Sequence, residues 1–247
     1  MLNEIFFPVV QLPVTRNGEP TKKTKILRED TGEMIALLSN IYTLVPNVEV
    51  HKTIQSVFGE IEPKTYFSDG YYSRFSYVLE DRTKKVAVND IVAMMINVEN
   101  SYDGSKRLRV SIDLLRLVCS NGMRVGESVY EDTFLHKSVT PQSILSNIEI
   151  SLLNNEEHFN TAVGRLKKMK KTKLTEEVKT DLVKGLATFP SFAINHIVNE
   201  MAKIQPENLY DMYNIITDYT SNVLEIKNTS RELMSRDLDR MIVSLVK

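Results

Sequence analysis

At Thr140 the spacing of apolar residues changes from the alternation of strands to the three-to-four residue repeat of helices, so two kinds of secondary structure follow one another along the chain. Thr140 and Pro141 have the residue types of an N-cap and a first helical position, and Ile144, Ile148, Leu152 and Phe159 follow at helical spacing. Thr175-Glu176-Glu177-Val178 opens a second helix, with Leu182, Val183 and Leu186 facing inward. Pro190, Pro206 and Asn228 divide the remainder into helical segments near 192–204, 208–224 and 229–246, the last begun by a Thr229-to-Glu232 capping box. The expectation is an α+β chain. A β-rich region, residues 1–139, holds antiparallel hairpins and one inserted helix; a helical region, 140–247, packs on it or extends it.

Before Thr140, turn chemistry separates β-type runs. Residues 22–45 read as two strands joined at Glu29-Asp30-Thr31-Gly32. Pro46 then sits where a helix can begin, with Val50, Ile54, Val57 and Phe58 on one face and Gly59 as its stop. The stretch TYFSDGYYSRFSYVLE places aromatics on both sides of a Ser-Asp-Gly turn, and a second hairpin is expected to turn near Asp81–Lys85. Two further strands flank a turn centred on Asp103-Gly104. In the second of them Leu108, Val110 and Ile112 share one face, and Arg107, Arg109 and Ser111 the other.

Several chemistries find no support. The nine glycines form neither a dinucleotide-binding fingerprint nor a phosphate loop. The four histidines, His51, His136, His158 and His196, show no metal-ligand spacing, and the single cysteine excludes both an internal disulfide and a multi-cysteine metal site. No cofactor and no metal are therefore expected. No apolar run is long enough to cross a bilayer, and the start of the chain lacks the pattern of a signal peptide, so a cytoplasmic protein is expected.

Cationic and aromatic clusters remain. Lys106, Arg107, Arg109, Arg116 and Arg124 fall in a stretch whose one acid is Asp113, and RLKKMKKTK, residues 165–173, contains Lys167, Lys168, Lys170 and Lys171 and no acid. Such clusters hold phosphates by replacing condensed counterions, although a net charge of −1 confines any such surface to a patch. A solvated helix end explains 165–173 equally well. Tyr66, Phe67, Tyr71, Tyr72, Phe75 and Tyr77 crowd one hairpin, where rings serve either as base-stacking platforms or as core and cross-strand pairs. Cys119 with His136 is the only nominal nucleophile–base pair, with Arg116 and Arg124 available to favour a thiolate. The simpler role for Cys119 is a small buried side chain at a strand end, before the Asn121-Gly122 turn.

The stretch NSYDGSKRLRVSIDLLRLVCSNGM resembles the signature of a phage- and plasmid-borne family, domain of unknown function 932. Asn100, Ser101, Asp103, Gly104 and Ser105 match its turn; Arg116, Val118, Cys119 and Asn121 match its Arg-x-x-Cys-x-Asn block. His136-Lys137-Ser138 resembles its later His-Thr/Ser element, and Thr31-Gly32 through Tyr42 and Asn47 an upstream element. Tyr102 stands where a histidine is common in the family. The resemblance spans roughly residues 20–150 and implies a mobile-element context, with genes of replication and recombination nearby, but no activity.

These features lead to the expectation of a non-enzymatic nucleic-acid-binding accessory protein, preferring single-stranded DNA. Lys106, Arg107, Arg109, Arg116, Arg124 and the lysines of 165–173 would grip phosphates, Tyr71 and Tyr72 would stack bases, and Asp103, Gly104, Cys119, Asn121 and Gly122 would shape the motif. The alternatives are a module that binds a host or phage protein or forms a homo-oligomer, and a hydrolase whose carboxylates sequence does not place.

Overall fold

The structure, a computed structural model, describes residues 2–88, 90–117, 124–186 and 189–219, with Leu238, Met241, Ser244 and Leu245; the side chains of 124–129 and of Val183 are outside it. Strands occupy the first part and helices the second, giving an α+β fold. Strands β1 (Val9–Arg16), β2 (Glu19–Arg28) and β3 (Met34–Ser39) form a three-stranded antiparallel sheet in that order. A second sheet has five strands in sequential order: β4 (Thr65–Ser68), β5 (Tyr72–Ala87), β6 (Asp90–Ser101), β7 (Leu108–Arg116) and β8 (Arg124–Phe134). The helices are α1 (Asn47–Phe58), α2 (Pro141–Leu153), α3 (Asn155–Lys171), α4 (Glu176–Gly185), α5 (Ser191–Ile204) and α6 (Leu209–Asp218).

Two compact units are built from interleaved segments. The first comprises residues 1–78, 95–112 and 130–156, the second 79–94, 113–129 and 157–247. The change of secondary structure near Thr140 does not coincide with them. In the first unit, Ile26 of β2 packs with Phe7, Leu44 and Tyr102, and Val50 and Ile54 of α1 are fully buried. In the second, Phe159, Leu166 and Met169 of α3, Leu182 of α4, Ile197 of α5 and Met212 and Ile216 of α6 are buried.

Local chemistry accounts for most element ends. Thr140, Thr175 and Asn208 each cap a helix by accepting a backbone N–H, and Gly59, at φ 82°, ends α1. The β6–β7 connection turns at Gly104, with φ 77°.

Other expectations need correction. No turn lies at Asp81–Lys85: β5 continues to Ala87 and β6 begins at Asp90. That stretch has no Gly or Pro, and its charged side chains project from both faces of a continuing strand, with Lys84 and Lys85 exposed and Val86 buried. Residues 9–16 carry no element in the sequence reading, yet they form β1, turned into β2 by Asn17-Gly18 at φ 52° and 86°, as a two-residue primed turn requires. Ser111 does not share an exposed face with the arginines; it is buried, because β7 is covered on both faces there. Phe159 lies on α3, since α2 stops at Asn154.

Candidate functional site

Between β3 and α1 the chain runs irregularly from Tyr42 to Pro46, yet Thr43, Leu44 and Val45 are buried. A buried segment without a ladder must satisfy its backbone groups by other means. Gln11 spans two of them: its Nε2 donates to the Tyr42 carbonyl at 2.8 Å and its Oε1 accepts from Leu44 N–H at 3.1 Å. Thr43 N–H donates to the His136 carbonyl at 3.1 Å, and His136 Nδ1 lies 2.9 Å from the Thr43 carbonyl. A carbonyl only accepts, so Nδ1 carries the proton and Nε2 the lone pair. Asn100 Nδ2 donates to the Val45 carbonyl (2.9 Å) and to Asn47 Oδ1 (2.8 Å). The Tyr102 hydroxyl, 2.8 Å from Asn47 N, accepts the N–H that Pro46 leaves uncapped at the start of α1.

The β6–β7 turn belongs to the same cluster. Ser101 Oγ accepts from Lys106 N–H and donates to its carbonyl, closing the turn, and Asp103 accepts from Ser105 N–H. A side chain at Gly104 would reach Leu38 and Tyr42. The Tyr42 hydroxyl donates to the Ser101 carbonyl, and its ring stacks on His136 with centroids 5.2 Å apart. Burial pushes the Tyr42 and Tyr102 hydroxyls above the ordinary phenol range and His136 below the ordinary imidazole value. Two buried acceptors, Asn100 Oδ1 and His136 Nε2, meet no donor among the described residues.

Two of the arginines singled out for phosphate binding are held by acids. Arg109 pairs with Glu131 at 3.0 Å. Arg116 binds the buried Asp90 carboxylate through Nε (2.7 Å) and Nη2 (2.9 Å), and the Tyr210 hydroxyl donates to the same carboxylate at 2.7 Å. Lys106 and Arg107 are exposed beside the turn. On α3, Lys167, Lys168 and Lys171 are exposed with no ion pair among the described residues, as is Lys173 beyond it. Lys170, by contrast, pairs with Asp211 at 2.7 Å.

The aromatic hairpin is divided. Phe75 and Tyr77 are fully buried and Tyr72 is half-buried, whereas Phe67 and Tyr71 are exposed. Tyr71 sits in the turn, just before β5 begins at Tyr72. It lines a cavity of about 350 Å³ with Glu4, Glu33, Asp69 and Arg28, and the Arg28 guanidinium is engaged by Asp30. Three carboxylates make that surroundings unfavourable for a phosphate chain. Cys119, Asn121 and Gly122 lie outside the described residues, as does the side chain of Arg124. Among the described residues no group of three or more His, Cys, Asp or Glu side chains is placed to hold a metal, and no helix is long and apolar enough to cross a membrane.

Residues 35–238 match the family described as Domain of unknown function (DUF932). The chain belongs to that family. No curated protein and no solved structure matches it. Hairpin β1–β2 precedes the matched residues. The DUF932-like positions Tyr42, Asn47, Asn100, Ser101, Gly104 and His136, spread over nearly a hundred residues of sequence, converge on the Tyr42–Asn47 segment. Tyr102 acts there as a helix cap. Gln11, which makes two of the bonds, lies before the DUF932 match, and nothing in the sequence separated it from an ordinary strand residue.

Proposed function

We propose that this DUF932 protein binds nucleic acid without catalysing a reaction, as a sequence-independent accessory protein of a phage or plasmid in its bacterial host, and that the lysine face of α3 makes the contact. Support comes chiefly from Lys167, Lys168 and Lys171, which are exposed, carry no ion pair among the described residues and occupy neighbouring helical positions. Positions i, i+1 and i+4 share one side of a helix, and Lys173 continues the row past its end. The strand arginines contribute less, since Arg109 and Arg116 already neutralise Glu131 and Asp90. Single strands suit this surface because their flexible backbone can follow a short, isolated row of charges.

Four neutralised phosphates give a slope of log K on log salt near −2.8 for single strands and −3.6 for duplex. Between about 50 and 200 mM salt, affinity then falls about 50-fold and about 150-fold respectively. Fluorescence anisotropy with labelled single- and double-stranded DNA and with single-stranded RNA measures both. Lys167→Glu/Lys168→Glu/Lys171→Glu should abolish binding while leaving the far-UV circular dichroism unchanged. Unaltered binding by the triple variant removes α3 from the interface; no binding by the wild type at the lower salt defeats the nucleic-acid reading.

A further inference from the structure

The two edges of the three-stranded sheet differ. β1 is guarded: Pro13 lacks an N–H, and the register with β2 shifts between Pro13 and Thr15. β3, MIALLS, contains no charge and no proline, and its one irregularity, beside Ile35, leaves Ala36–Ser39 regular. The hydrogen bond from Asn40 N to the Lys22 carbonyl fixes the phase of the β2–β3 ladder. With Lys25 opposite Leu37, alternation turns the Leu37 N–H and C=O away from β2, towards the side where no strand pairs among the described residues. Leu37 is 52% exposed and Met34 58%.

The face beside this edge has a definite chemistry. Across the sheet the rows are Val10–Leu27–Met34 and Leu12–Lys25–Leu37, followed by Lys23 opposite Ser39. These rows hold aliphatic side chains and two lysines, and no acid. Neither lysine has an ion pair among the described residues. No aromatic ring is present on which a base could stack, so the surface lacks half of what single-stranded nucleic acid uses. Open backbone groups, unneutralised lysines one strand away on this face and the half-buried apolar Ala36 and Leu38 on the other fit an extended polypeptide that alternates acidic and aliphatic residues, which project to opposite faces.

We infer that β3 is a docking edge, on which an extended acidic–aliphatic segment of a partner protein adds as a fourth strand beside Leu37, with its carboxylates reaching Lys23 and Lys25. The lysines come from the β1–β2 hairpin, which precedes the matched family residues. This surface is separate from the α3 lysines and stands whether or not the chain binds nucleic acid.

The full chain is titrated with a fluorescein-labelled peptide of alternating glutamate and valine, with a lysine–valine counterpart, and with a glutamate–valine peptide N-methylated at alternate residues. Amide hydrogen exchange is followed in parallel. The glutamate–valine peptide should bind at least about tenfold more tightly than either control, because the lysine–valine peptide brings like charges together and the N-methylated one lacks backbone donors for the edge. It should slow exchange at Leu37 and Ser39. Lys23→Glu/Lys25→Glu should invert the preference, and Leu37→Lys, a substitution at an outward-facing edge position, should abolish binding without changing the thermal midpoint. Equal binding of the three peptides, or protection that spares Leu37, overturns the inference. So does displacement of the peptide from this edge by a single-stranded oligonucleotide. Leu37 protection that rises with protein concentration in the absence of peptide, with sedimentation as a dimer, overturns it in favour of a second copy of this chain.

Discussion

The role of Arg116 separates two accounts of the family signature, and its energetics follow from the contacts. The Asp90 carboxylate is 4% exposed and receives three donors: Nε and Nη2 of Arg116 at 2.7 and 2.9 Å and the Tyr210 hydroxyl at 2.7 Å. Arg116→Ala removes two of them and leaves a buried carboxylate with one, a loss of about 3–5 kcal/mol. That is a fifth or more of the roughly 5–15 kcal/mol that holds a typical native chain together. Tyr210→Phe removes a single hydrogen bond to a charged acceptor and should cost about 1.5–3 kcal/mol. Replacing the whole group, as Asp90→Leu/Arg116→Met/Tyr210→Phe, removes the charge together with its donors and should cost less than Arg116→Ala alone. Urea denaturation followed by circular dichroism measures all three, with anisotropy on labelled oligonucleotides beside it. An Arg116→Ala protein that unfolds like the wild type but loses nucleic-acid binding would refute this reasoning and return the arginine to a ligand.

Tyr102→Phe leaves Asn47 N–H buried without an acceptor and should destabilise by about 1–3 kcal/mol; a midpoint of urea unfolding within error of the wild type would show that the hydroxyl is not the cap of α1. Acid should weaken the fold before the carboxylates titrate. Burial holds His51 below its ordinary value, against the opposing field of Glu62, and holds His136 below it against the Thr43 carbonyl. Below pH 6.5 the unfolded chain therefore takes up protons that the folded chain refuses, and stability falls as pH is lowered towards 5. His51→Gln and His136→Gln should each flatten the dependence of the unfolding midpoint on pH; an unchanged slope in both variants would place the acid sensitivity elsewhere.

Local features were legible in the sequence where one short stretch determines the outcome. The Thr140-Pro141 start, the Gly59 stop and the Asp103-Gly104 turn each need only neighbouring residues, and each stands where expected. The Asp81–Lys85 error shows the opposite case, in which charge without Gly or Pro signals a continuing strand and not a turn. Asn17-Gly18 has the chemistry of a turn, and Pro13, which would not suit a central strand, is accommodated because β1 lies at an edge. Pairing could not be read. Arg116 meets Asp90 across 26 positions and Tyr210 meets Asp90 across 120, so a stretch rich in arginine looked cationic when part of it was already neutralised. Lys167, Lys168 and Lys171 of α3 were visible as composition, but that they form no ion pair among the described residues was not.

The convergence of Tyr42, Asn47, Asn100, Ser101 and His136 bears on where activity is to be sought. Asn100 and His136 bond the backbone of Val45 and Thr43, Asn100 also bonds Asn47, Tyr42 bonds the Ser101 carbonyl and Ser101 closes its turn on Lys106; all but the half-buried Tyr42 are buried. Groups committed to backbone partners in this way are poor acids, bases or nucleophiles, since a reacting atom would have to displace a bond that holds the fold. His136 is the sharpest instance: donation from Nδ1 to Thr43 fixes its tautomer, and burial keeps its free Nε2 away from solvent. The signature therefore specifies how β3 is joined to α1. In doing so it places Leu37, five residues before Tyr42, on an edge strand whose end is anchored and whose outer side pairs with no strand among the described residues. A segment pinned by the side chains of Gln11, Asn100, Tyr102 and His136 gives a rigid support to an exposed strand, and rigidity lowers the entropic cost of adding another strand to it.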